Sequence, residues 1–353
     1  MAARVCVVSG RGGVSGPKIG SLFSGVGGLD LGGQQVIGGD VVWHVEFDAA
    51  PSKVLAHHWP DVPNYGDITA VDWSQVEPID ILTGGFPCQD VSLAGARAGM
   101  NDTTRSGLWA HYAHAISVLK PKLVVIENVR GLLSAEAVGS MEPDPWGMGD
   151  GKPRSVINAF GAVLGDLAGL GYDTRWGGVR AADAGAPHGR FRVFIIATAD
   201  PANNGHERAW TTRGWRAGLE NNNLTTANTR RIRGHESNNT SGIGTPATDR
   251  VSVPDERSPR PRELEWGIYA PAIERWEREF GQVAPAPTNP DGRDGQHRLA
   301  AEFVEWMMGL PAGHVTDPSI GLTRNQQLKA LGNGVVPAQC ALALRMLGVR
   351  SWQ

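Results

Sequence analysis

Between residues 19 and 198, short apolar runs alternate with stretches whose apolar side chains recur every third or fourth position. The runs, over 19–23, 41–45, 79–82, 123–126, 174–179 and 193–198, have the length of strands, and the run over 123–126 is apolar throughout, as strands buried on both faces are. The stretches 48–58, 106–119 and 155–170 carry helical spacing. Strands separated by helices predict an α/β fold with a doubly wound, mostly parallel sheet. Residues 139–153, rich in Gly, Pro and Met, break the alternation and are expected to form an extended loop. After Asp200 the pattern stops for about 60 residues. It resumes with a short helix over 270–279, a Pro-rich 283–290, a helix over 303–308 and a long helical stretch over 326–347.

The stretch that lacks the pattern also differs in composition. Residues 201–262 hold 10 arginines against 6 acids and no lysine, in a chain whose net charge is −3. They are rich in Asn, Thr and Gly and poor in aliphatics, so they can build little core. Such a segment reads either as a disordered insertion or as a surface that contacts nucleic acid through arginine forks and asparagine amides. Elsewhere, no apolar run approaches the roughly 18 residues that span a bilayer. The N-terminal 18 residues contain no secretory core, and three cysteines make no disulfide framework. A reducing cytoplasm is expected, with no membrane partner and no metal site.

Chemistry-bearing residues cluster where strands end. The run IGSLFSGVGG passes from a strand into Gly25, Gly27 and Gly28, a turn whose backbone can approach a ligand closely. Glu46, in VEFD, follows the second strand at the position where nucleotide-binding folds place a carboxylate for ribose hydroxyls. Phe47 beside it could stack on an adenine or pack in the core, and Asp67, in GDI, follows a presumed third strand. Together these point to a ligand containing adenosine. DILTGGFPCQ is a buried strand ending in a turn that exposes Cys88, which favours a nucleophile there. Cys6 and Cys340 read as small buried hydrophobes. In LVVIENV, Glu127 and Asn128 emerge at a strand end, where a carboxylate needs a partner or a task. In PHGRFRVF, Arg190 and Arg192 fall on one side of an alternating strand start and suit a phosphate, a carboxylate or a base edge.

The ordered blocks LFSGVGG, EFD, GDI, GFPCQ, ENV, RFR and LGNGVVP resemble the DNA (cytosine-5) methyltransferases, over roughly two-thirds of the chain. FVEWMMGLP and the C-terminal block are similar to phage and prophage members. The resemblance implies an S-adenosylmethionine-dependent methyltransferase domain with a smaller, irregular target-recognition domain. It places an N-terminal tail at 1–17, the catalytic domain at 18–199, the recognition domain and hinge at 200–325, and a C-terminal segment completing the catalytic domain at 326–353. It implies Cys88 as the nucleophile that adds to C6 of a flipped-out cytosine, Glu127 as the acid at N3, and Arg192 with Arg190 as catalytic arginines. Phe23, Ser24, Gly25, Gly27, Gly28, Glu46 and Phe47 match positions around the cofactor, as do Asp67, Ile68, Pro87, Asn333 and Val335. Gln89 and Asn128 match substrate-binding positions. Arg230, Arg231 and Arg233 are the expected base readers of the variable lobe. His188-Gly189 depart from the Gln-Lys or Gln-Arg frequent in the family. The implied substrate is double-stranded DNA, modified by a cytoplasmic monomer of a bacterial or phage-infected cell, with a cognate restriction endonuclease as companion. An RNA cytosine-5 methyltransferase shares the same blocks, but the variable lobe of about 100 residues favours duplex DNA. A catalytically idle DNA-binding relative would not need every catalytic position filled.

Overall fold

The computed structural model describes residues 16–87, 107–133, 159–200 and 266–352. Cys88, Gln89, Arg230, Arg231, Arg233 and the expected loop at 139–153 lie outside the described residues. Strands β1 (Lys18–Leu22), β2 (Asp40–Val45), β3 (Ile81–Gly84), β4 (Leu123–Val129), β5 (Tyr172–Arg180) and β6 (Phe191–Ala199) form one sheet in the order β2-β1-β3-β4-β6-β5. Strands β2, β1, β3 and β4 are parallel, and β6 runs antiparallel to both of its neighbours. Helices α1 (Gly28–Ile37), α2 (Ala49–His58), α3 (Leu108–Leu119) and α4 (Ala159–Gly169) fill the connections.

The central strands are mostly apolar on both sides because both faces of the sheet are covered. Val124 and Ile126 enter one core with Trp109, Tyr112 and Phe160, while Val125 between them enters a second with Leu29, Cys340 and Leu344. Leu82 and Ile81 divide in the same way. The chain leaves β1 for β2 on one side and later returns to place β3 on the other. The strand order therefore switches beside β1, and a crevice opens beyond the carboxyl ends of β1 and β3.

The remaining elements are α5 (Ala270–Phe280), the short pair β7 (Thr288–Asn289) and β8 (Arg298–Leu299), α6 (Ala301–Met307), α7 (Arg324–Asn333) and α8 (Pro337–Met346). From Pro271 on, the described residues belong to the same compact unit as the sheet, including the described part of 271–325, which the sequence places in the second lobe and hinge. Trp266–Ala270 fall in a separate unit and contain one 3-10 turn, Gly267–Tyr269. Two expectations are corrected. The stretch 326–347 is two helices, because α7 ends at Gly334 and α8 restarts with Pro337, which lacks the N–H an uninterrupted helix would need. The presumed third strand is a single parallel bridge from His44 to Asn64. No helix among the described residues is long and apolar enough to cross a membrane.

Candidate active site

Beyond β1 the backbone turns sharply: Phe23, Gly25 and Gly27 all adopt positive φ, at 50°, 55° and 81°. For Phe23 that is a strained conformation, held by its N–H to the Val45 carbonyl (2.8 Å) and by ring stacking on Tyr112. The loop is also held from below, where the His314 ring donates from Nε2 to the Val26 carbonyl at 2.7 Å. Glu46, at the end of β2, accepts from Gly25 N–H at 2.8 Å and from Asp48 N–H at 2.7 Å. Burial raises its pKa, and those two hydrogen bonds pull it back. Each carboxylate oxygen keeps a lone pair free for a further donor. Next to it the Phe47 ring is 79% exposed, an apolar face left open to solvent. A carboxylate and an uncovered ring side by side fit the ribose and base of an adenosine group.

The other expected cofactor positions divide. Val335 reaches the same loop: a Cβ on Gly28 would run into the Val335 carbonyl oxygen, so α1 begins directly against the LGNGVVP segment. Asn333 is exposed beside it. Asp67 is half-buried and its Oδ1 accepts from the backbone and hydroxyl of Thr69, while the Ile68 side chain is buried in the core. Pro87 is exposed at the limit of the described segment.

The second half of the crevice lies where β3 and β4 end together. Glu127 is buried, and its Oε1 stands 2.6 Å from Arg192 Nε in an ion pair. Its other oxygen lies against Gly85, where a Cβ would meet it at 2.9 Å. Burial raises the Glu127 pKa, with Arg192 and then Arg190 opposing. Asn128 donates from Nδ2 to the Phe86 carbonyl at 2.9 Å and so fastens the GGFP turn to β4. Antiparallel pairing sets Arg192 opposite Val129, two residues from Glu127, so the sheet itself delivers the guanidinium to the carboxylate.

Arg190 does not join this pair. It precedes β6 and donates through NH1 and NH2 to the carbonyls of Gly332 (2.8 Å) and Gly334 (2.9 Å). His188 donates from Nε2 to the Met307 carbonyl at 3.1 Å. The reading of residue types alone missed Asp30, a buried acid of α1 that accepts from the hydroxyls of Ser21 (2.7 Å) and Thr83 (2.6 Å) and ties β1 to β3. Its signal was a lone acid in an otherwise apolar helix start. Lys329, paired with Asp48 at 2.6 Å, was also missed, and nothing in its surroundings in sequence marks it. No cluster able to hold a metal ion occurs among the described residues.

Comparison with known proteins bears on this geometry. The family described as C-5 cytosine-specific DNA methylase matches residues 17–242. The chain is 33% identical over 182 residues to the Type II methyltransferase M.NlaIV of Neisseria lactamica, covering 50% of this chain and 40% of that protein. It is 33% identical over 186 residues to the Type II methyltransferase M.SsoII of Shigella sonnei, covering 53% of this chain and 44% of the relative. The match thus spans less than half the length of these curated relatives. Among solved structures, the Dnmt2 methyltransferase of S. pombe superposes with a TM-score of 0.51 at 13% identity, over 94% of this chain and 99% of that one, a likeness of fold.

Proposed function

Because the chain belongs to the C-5 cytosine-specific DNA methylase family, we propose that it transfers a methyl group from S-adenosylmethionine to carbon 5 of a cytosine rotated out of duplex DNA. The observation that carries this reading is the buried pair of Glu127 and Arg192 against Gly85, at the strand ends from which Pro87-Cys88 departs. Cytosine C5 is a weak nucleophile, so the ring needs prior addition at C6. Cys88, which follows Pro87 in sequence, supplies the thiolate. A thiol with a pKa of about 8.5 must lose its proton as it attacks. The electron density it delivers gathers at N3, where a proton on Glu127 neutralises it. Burial favours that protonated form. Arg192 holds the Glu127 side chain in place and would offer further donors to the base, while Asn128 fixes the GGFP turn that precedes Cys88 in sequence. Loss of the C5 proton then lets the ring expel the Cys88 thiolate.

S-adenosylmethionine, when bound, supplies an electrophilic methyl group. Glu46 would accept from its ribose hydroxyls, Phe47 would cover its adenine, and the loop from Phe23 to Gly28, closed by Asn333 and Val335, would surround the rest. The Arg-rich residues after Asp200, with Arg230, Arg231 and Arg233 foremost, would choose the DNA sequence, since arginine forks onto guanine O6 and N7 in the major groove. Relatives named Type II methyltransferases support a modifying role beside a restriction endonuclease.

Bisulfite sequencing of plasmid DNA and of tRNA from cells expressing the chain tests this reading. Methylated cytosines in one recurring DNA context are expected. Methylation confined to tRNA would move the substrate to RNA, and none in either would overturn the activity.

A further inference from the structure

Arg190 sits two residues from the arginine that meets Glu127, yet its guanidinium hydrogen-bonds to backbone carbonyls instead. The carbonyls of Gly332 and Gly334 that it binds belong to the end of α7, where a helix leaves carbonyls without partners and carries partial negative charge. A guanidinium satisfies both. Those carbonyls flank Asn333, and the next carbonyl after Gly334, of Val335, abuts Gly28 at the start of α1. The same helix is tied at a second point, where Lys329 Nζ meets Asp48 Oδ2 at 2.6 Å and Asp48 N–H donates to Glu46 Oε1. One helix therefore touches the candidate ribose carboxylate through Lys329 and Asp48, and the arginine segment through Arg190. His188 on Met307, and Gln339 Nε2 donating to the Arg190 carbonyl at 3.0 Å, hold that segment to the C-terminal part of the chain at two more points.

Building on the proposed function, we propose that Arg190 is a positioning residue that couples the cofactor-holding segment 332–335 to the placement of Arg192, rather than a group that contacts the base. Burial and the neighbouring Arg192 charge push the Arg190 pKa down to about 10, so this cation is held against repulsion by carbonyls that a free base-reading side chain would not need. With the cofactor seated, Asn333 and Val335 are fixed, the Gly332 and Gly334 carbonyls are fixed with them, and Arg190 carries that order one residue past the start of β6 to Arg192.

The test uses the full chain without DNA, titrated with S-adenosylmethionine by calorimetry. R190Q, which keeps the shape but loses the charge and most donors, should bind the cofactor on the order of tenfold more weakly, within the range usual for coupled sites. R190K should fall between R190Q and wild type. In the wild-type chain, S-adenosylmethionine should slow amide exchange at 191–193 as well as at 333–336. Unchanged cofactor affinity in a folded R190Q, or protection confined to the cofactor segments, would overturn the coupling. Should R190Q fail to fold, the exchange experiment on the wild type decides alone. A wild-type chain that binds no S-adenosylmethionine would overturn the proposed function, and the coupling with it. Normal binding by wild type and R190Q alike overturns only the coupling.

Discussion

Asp30 and Glu127 are both buried carboxylates with raised pKa, and their surroundings separate their roles. Glu127 faces a guanidinium at the open end of the sheet, where a proton can pass to a ligand. Asp30 faces two hydroxyls between β1 and β3 and is closed off. Burial lifts its pKa to about 6, with the hydrogen bonds from Thr83 and Ser21 opposing. A raised folded-state pKa means that the folded protein keeps a proton the unfolded chain has lost. Stability from Asp30 is therefore present below about pH 4 and is lost as pH rises through about 6. Asp30→Asn removes that charge while keeping the shape, and its amide can still meet the Thr83 hydroxyl. The variant should be more stable than wild type at pH 8, by up to about 3 kcal/mol, and the difference should vanish near pH 4. Urea unfolding at the two pH values measures this, and a variant less stable at pH 8 would show that the charged form is the one the fold uses.

Among the elements, α1 shows how one helix can carry both a required glycine and a dispensable one. At Gly28 a Cβ would run into the Val335 backbone, whereas at Gly33 nothing lies within 4 Å. Gly28→Ala should cost roughly 2 kcal/mol or more, because backbone must move on both sides. Gly33→Ala should be neutral or gain up to about 1 kcal/mol from helix propensity. Thermal melting of the two variants gives the comparison, and equal melting temperatures would mean that the LGNGVVP segment is not docked against α1. The strands were legible in the sequence because a parallel sheet covered on both faces writes itself as unbroken apolar runs, as in Leu123–Ile126. The break between α7 and α8 was less so, since helical spacing continues across Gly334 and only Pro337 marks the restart. Glu127 and Arg192 could be read as site residues because both emerge from strands whose register brings them together. Arg190 was grouped with Arg192 by alternation, but β6 begins at Phe191, so alternation does not bind it. Its carbonyl partners lie more than 140 residues away, a distance across which no local pattern reaches.

For the molecule as a whole, the division of labour follows composition. The sheet domain holds the buried acid, the arginine and the candidate cofactor crevice, and would treat every target alike. Residues 201–262, with arginine as their only strong cation, would carry the choice of sequence. The proposed function turns on a covalent bond between Cys88 and the cytosine ring, and such a bond could be trapped. In duplex DNA carrying 5-fluorocytosine, methyl transfer leaves a fluorine at C5 that cannot depart as a proton does, so the thiolate cannot be expelled. Incubation of the chain with such DNA and S-adenosylmethionine should give a protein–DNA complex that survives denaturing electrophoresis, and Cys88→Ala should give none. An adduct formed by Cys88→Ala, or no adduct from a chain that methylates ordinary DNA, would contradict the mechanism.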